Sequence, residues 1–314
     1  MPTELILDCD TGVDDALAIL YAAGQGARVH ACTVTHGNVP VEVGTRNTLT
    51  VLDLAGLSTV PVHAGASRPM AQPLQTSEHV HGRDGLGDAG VSTSSRQPAG
   101  DLAAVEIVRL ARERPGKLTL VAVGPLTNIG LALLLEPDLP ALVRGVVIMG
   151  GAVGVPGNAS QLGEANVWHD PEAAQLVVDS RWDVLFVGLE TTMQAPIPPE
   201  ALRRIEASTD PRARFTWAIM QHYMDLYEPT LGLRSCIPHD ALAVALALDP
   251  DLATYRCIEA YVETGPGRTR GTLVGDLRPF APPPAEPSTR GVIRIVDRMD
   301  FNTFFARLLE SLGA

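Results

Sequence analysis

Short runs of β-branched apolar residues alternate along this chain with segments of helical periodicity. That alternation restricts the fold to a mostly parallel sheet with helices packed outside it. The first pair is strand-like Glu4 to Cys9 followed by an amphipathic stretch from Val13 to Ala23. Further strands are expected at Val29 to Val34, Val60 to His63, Leu118 to Val123, Val146 to Met149, Val184 to Val187, Ile258 to Val262 and Val292 to Val296. Helices are expected in most of the gaps. Three stretches break the rhythm and read as long loops: Gly65 to Gly100, Gly150 to His169, and Pro229 to Pro238. RPFAPPPAEPS, from Arg278 to Ser288, reads as an extended Pro-rich connection. No repeat or linker divides the chain, so residues 1–314 are expected to form a single domain.

With 314 residues and 46% hydrophobic content, the chain can bury a large core. No apolar run approaches the roughly 20 residues that span a bilayer, and the start, MPTELILDCD, lacks a secretory pattern. No membrane association and a soluble cytoplasmic protein are therefore expected. Cys9, Cys32, Cys236 and Cys257 lie far apart without a C-x-x-C pair, and read as reduced thiols. A formal net charge of −12 opposes nucleic-acid binding.

The sharpest local feature is LILDCDTGVDDALAIL, which sets Asp8, Asp10, Asp14 and Asp15 between a strand and a helix. Helix capping and turn amides account for any one of these acids. Four together repel unless something neutralises them, and a divalent cation would do so. Oxygen-only ligands favour calcium or magnesium over zinc. Open α/β sheets bind ligands outside the carboxyl ends of their strands, where this cluster falls. Other polar groups collect at that rim: His36 and Asn38 after the second strand, GPLTN after Val123, and the loop opening at Gly150 that carries Asn158, Glu164 and Asn166. His239 and Asp240 open the apolar run ALAVALAL.

Taken together these segments resemble the inosine-uridine preferring nucleoside hydrolase family, from Asp8 to at least Asp240. The family opening D-x-D-P-G-x-D-D appears as Asp8, Asp10, Gly12, Asp14 and Asp15, with Thr11 where the family has proline. The other matching blocks are HGRDGLGD from His81, VGPLTNIGLAL from Val123, MGGAVGVPGN from Met149, GEANVWHDPEAA from Gly163, and PHDALAV from Pro238. A second departure is Ala165, where the family's E-F-N carries an aromatic residue; Trp168 lies just beyond.

The resemblance implies an open, Rossmann-like, nucleoside hydrolase-like sheet flanked by helices, with the site at the carboxyl ends of the strands. It implies hydrolysis of a small-molecule ribonucleoside to ribose and free base, and a homodimer or homotetramer. By the same analogy calcium (Ca2+) is held by Asp10, Asp15, Asp240 and the backbone carbonyl of Val123, leaving room for a water and two ribose hydroxyls. Asp14, Asn38, Met149, Asn158, Glu164 and Asn166 line the ribose. Asp10 takes the proton of the attacking water, which inverts configuration, and His239 protonates the leaving base. His81 is the second candidate acid and otherwise shapes the base pocket. Tyr223 and Tyr227, four residues apart in QHYMDLY, share one helical face and are expected either to pack in the core or to cover the nucleobase.

Two other readings of the residues stand beside this one. Haloacid-dehalogenase-like phosphatases also run a strand into D-x-D, with the first aspartate as nucleophile, although Gly12 stands here where that pattern has Thr or Val. A calcium-dependent nucleoside- or ribose-binding protein without turnover would keep the metal site but needs neither Asp10 as base nor His239 as acid.

Overall fold

The computed structural model describes residues 2–282, 284, 286 and 288–314. Pro283, Ala285 and Pro287 of the expected Pro-rich connection lie outside the described residues. The first half comprises β1 (Glu4–Cys9), α1 (Val13–Gly24), β2 (Arg28–Val34), α2 (Val41–Leu54), β3 (Val62–Ala64), α3 (Glu78–His81), α4 (Ala103–Glu113), β4 (Leu118–Ala122), α5 (Thr127–Leu135), α6 (Leu139–Leu142) and β5 (Gly145–Met149). There follow α7 (Ala165–His169), α8 (Pro171–Asp179), β6 (Val184–Val187), α9 (Leu189–Thr192), α10 (Pro199–Ala207), α11 (Pro211–Leu231) and α12 (His239–Leu248). The chain closes with β7 (Ala253–Val262), β8 (Leu273–Gly275), β9 (Val292–Met299) and α13 (Phe301–Leu312).

These strands form one nine-stranded open sheet in the order β3-β2-β1-β4-β5-β6-β9-β7-β8. Pairing is parallel from β3 through β6 to β9, and β7 runs antiparallel to both β9 and β8. Each central strand is buried on both faces, which is why it reads as a continuous apolar run. Along β1, Leu5 and Leu7 join the core layer under α1, α2, α12 and α13, while Ile6 joins the layer under α4, α5 and α8. Beyond its first turn helix α12 is apolar on all sides, and Ala241 to Ala247 are all buried. It carries His239 and Asp240 in its first turn, so a fully packed helix fixes both.

The expected strands at Glu4 to Cys9 and Val184 to Val187 form with those bounds; the one expected from Leu118 stops at Ala122, one residue early, and the others shift or lengthen at their ends. Strand β8 was not expected: its three residues carry too little periodicity to read. The long loops are interrupted by α3 and α7. Helix α11 continues two residues beyond Pro229 and ends at Gly232, which adopts the left-handed conformation with φ of 67°. Among the described residues no helix is long and apolar enough to cross a membrane.

Candidate functional site

The carboxyl ends of β1, β2, β4, β5 and β6 open into a cavity of about 900 Å³. Every residue singled out above for metal, catalysis or substrate lines it except Asp10 and Asp15, which lie beneath its floor.

The floor is built from the turn between β1 and α1. Gly12 is the N-cap of α1, and Asp15 turns its carboxylate back so that Oδ2 accepts from the Gly12 amide at 2.9 Å and Oδ1 from the Asp10 amide at 3.1 Å. The Asn38 side chain donates to the same Asp15 Oδ2 at 3.0 Å, while its backbone amide donates to Asp10 Oδ2 at 2.6 Å. Thr11, in place of the family's proline, is fully buried and shares a hydrogen bond of 2.7 Å with Thr48. A side-chain bond to α2 therefore stiffens a turn that a proline ring would otherwise restrain.

One oxygen each of Asp14, Asp15 and Asp240 lies within 4.8 Å of the others, and all three residues are buried. Asp14, expected on the ribose, thus joins the converging carboxylates. Asp10 stands beside this triplet, and its Oδ1, like Asp14 Oδ1, is buried without a hydrogen-bond partner among the described residues. Burial, reinforced by neighbouring aspartate charge, pushes the carboxyls of Asp10, Asp14 and Asp240 well above the usual range. Asp15 is also raised by burial, against the opposing effect of its amide donors. Three converging buried carboxylates, with unpartnered oxygens on Asp14 and on neighbouring Asp10, fit a cation that accepts oxygen ligands.

Around this floor the ribose candidates interlock. Asn166 Nδ2 donates to the Val123 carbonyl at 3.0 Å and the Met149 carbonyl at 3.1 Å, and lies 3.5 Å from Met149 Sδ. Glu164 caps α7, accepting from Asn166, Val167 and Gly151 amides; burial nevertheless raises its carboxyl to about 7. Asn158 is exposed on the loop above and accepts from the Ala165 amide at 2.9 Å.

The opposite wall is aromatic. Rings of His81 and Tyr223 are 5.2 Å apart, those of Tyr223 and Tyr227 5.0 Å, and those of Tyr227 and His239 6.0 Å. Tyr223 reaches Asp14 Oδ2 at 3.4 Å, so both tyrosines face the cavity while also packing on the core. Burial lowers His239 and His81 to about 3, with neighbouring imidazoles assisting at His81, so both rings are neutral near pH 7. Val13 donates its amide to His81 Nδ1 at 3.2 Å, which fixes that nitrogen as acceptor.

Asp8 is separate. Its Oδ1 accepts from Thr33 and Asn128, it is 2% exposed, and it does not line the cavity. A phosphatase nucleophile at that position would have no access to substrate. Thr192, which holds His239 Nδ1 at 2.8 Å from the end of α9, has no counterpart among the residues read from the sequence. Nothing in VGLETTMQ marks it, because its partner is 47 residues away.

A family model described as inosine-uridine preferring nucleoside hydrolase matches residues 5–306. The chain belongs to that family. The inosine-uridine preferring nucleoside hydrolase of Crithidia fasciculata is 36% identical over 99% of this chain and 98% of its own length. A plant nucleoside hydrolase superposes with a TM-score of 0.93 at 30% identity, covering all of both chains. A purine-preferring ribonucleoside hydrolase from Gardnerella vaginalis gives 0.90 at 32% identity, covering 99% of this chain and 98% of that one. This nucleoside hydrolase is therefore an enzyme that cleaves the N-glycosyl bond of nucleosides, and the phosphatase and binding-protein alternatives fall away.

Proposed function

We propose that the enzyme is a calcium-dependent ribonucleoside hydrolase in which Asp10, Asp15, Asp240 and the Val123 carbonyl hold the ion. The observation that carries this reading is the convergence of buried, partly orphaned carboxylate oxygens below a cavity lined by polar side chains. Calcium, when bound, supplies a Lewis-acid centre that engages the sugar diol and acidifies a water. Asp14 stands where it can serve either the ion or a ribose hydroxyl.

The residues divide the remaining work. Asp10 accepts the proton of the attacking water through its free Oδ1. Asn38, Met149, Asn158, Glu164 and Asn166 orient the ribose, and loss of hydroxyls they engage leaves buried polar groups unpaired. Tyr223 and Tyr227 cover the nucleobase and exclude water. His239 is neutral at rest, so it acts as the acid only after taking up a proton from solvent. It then passes that proton through the Tyr227 hydroxyl bonded to it to the departing base, and so returns to the neutral ring. His81 shapes the base pocket.

Both purine and pyrimidine ribonucleosides are proposed as substrates, in keeping with the inosine-uridine preference in the name of the Crithidia relative. We further read the chain as one domain of a cytoplasmic homo-oligomer serving nucleoside salvage. The test is release of reducing sugar from inosine, uridine, cytidine, adenosine and guanosine beside their 2′-deoxy counterparts. Ribonucleosides cleaved at least about 10²-fold faster support the ribose cradle; equal rates on deoxynucleosides contradict it.

A further inference from the structure

We propose that Asn47, on α2 and outside the cavity, is a positioning residue that locks the aspartate turn to the loop carrying His81. Its side chain is 3% exposed, and its Nδ2 donates to two carbonyls at once: Thr11 at 3.0 Å and Asp84 at 2.8 Å. Thr11 directly follows Asp10. Asp84 belongs to HGRDGLGD, which is closed on itself by Asp84 Oδ1 accepting from Leu86 and Asp88 amides and by Gly87 donating to the His81 carbonyl at 2.8 Å. Holding the Asp84 carbonyl therefore holds the whole loop.

The fit is close on both sides. Gly85 has φ of +75°, and a Cβ there would lie 2.7 Å from Asn47 Nδ2. A Cβ on Gly12 would lie 2.5 Å from His81 Nδ1, the atom that accepts from Val13. Turn and loop thus meet along a seam with two bridges, one through His81 and one through Asn47. One nitrogen carrying two N–H groups is what two facing carbonyls require. Aspartate has the same shape but presents oxygen to both of them.

Because Asn47 does not line the cavity, its loss acts by displacing the Asp10 turn and the His81 loop, while the ribose contacts of Asn158, Glu164 and Asn166 on the other wall stay in place. The expected result for Asn47→Asp, folded by circular dichroism, is a fall in kcat of about 10- to 100-fold on inosine or uridine with KM within about threefold. Calcium affinity measured by titration calorimetry should weaken about tenfold, as for other residues that orient ligands. The double variant Asn47→Asp, His81→Ala should lose no more than about threefold beyond the worse single variant, since both cut the same seam. If N47D does not fold, Asn47→Ser carries the same measurements with one donor retained. Unchanged kcat and calcium affinity with only a lower melting temperature would overturn the assignment, as would fully multiplying effects of the two substitutions. The calorimetric arm rests on the calcium reading above. An unmodified enzyme that cleaves nucleosides without binding calcium would refute that reading, while kcat and the double variant still decide the role of Asn47.

Discussion

The phenolic oxygen of Tyr227 lies 2.7 Å from Nε2 of His239. Thr192 occupies the other ring nitrogen at 2.8 Å, so the imidazole is held at both ends inside a buried wall. A histidine fixed in this way has one orientation: it lines the cavity wall, and its Nε2 hands on a proton through the Tyr227 hydroxyl.

Replacing His239 with alanine should therefore reduce kcat on inosine by about 10²–10⁴-fold, the span of general-acid contributions. A riboside whose leaving group needs no proton, such as p-nitrophenyl riboside, should lose less than about tenfold. Steady-state rates on the two substrates check this, and equal losses would remove His239 from leaving-group protonation.

Tyr227→Phe removes the hydroxyl but keeps the ring that packs on Tyr223. It should cost about 10²-fold in kcat on inosine and much less on the activated riboside, the pattern predicted for His239→Ala. A change confined to KM would instead assign Tyr227 to substrate covering alone.

Asp10→Asn preserves the shape of a residue whose amide and carboxylate are tied to Asp15 and Asn38. It should lower kcat by about 10²–10⁴-fold while nucleoside binding, measured by calorimetry, persists. Retained turnover would exclude Asp10 as the base.

The raised carboxyls of Asp10, Asp14 and Asp240 also set a pH dependence. A carboxyl whose folded pKa exceeds its unfolded value stabilises the fold fully below the unfolded value, near 4, and that contribution is lost as pH rises through the folded value. Chelated enzyme should accordingly melt lower at pH 8 than at pH 6. Calcium, which replaces the protons, should raise the melting temperature more at pH 8. Saturation to about 100 Kd contributes about 2.7 kcal/mol, roughly 5 °C for a chain of this size. Differential scanning calorimetry at both pH values decides the sign.

Much of this was legible in the sequence because parallel strands buried on both faces leave unbroken apolar runs, as in LILDC and VVIM. The acidic turn was legible because four neighbouring aspartates repel one another unless a cation neutralises them. Which of them converge was not, since that depends on Asp15 folding back onto its own helix cap and leaving Asp14 directed at Asp240. Thr192 and Asn47 were equally hidden: each acts through bonds to residues 36 or more positions away, and neither residue type stands out locally. Strand β8 and helices α3 and α7 are three to five residues long, too short for a period to show.

The most direct test of the central claim is ribose release from inosine and uridine after exhaustive chelation, followed by calcium addition. Release should stop without the ion and return when calcium is restored. Undiminished release from enzyme shown by elemental analysis to carry no metal would contradict the claim.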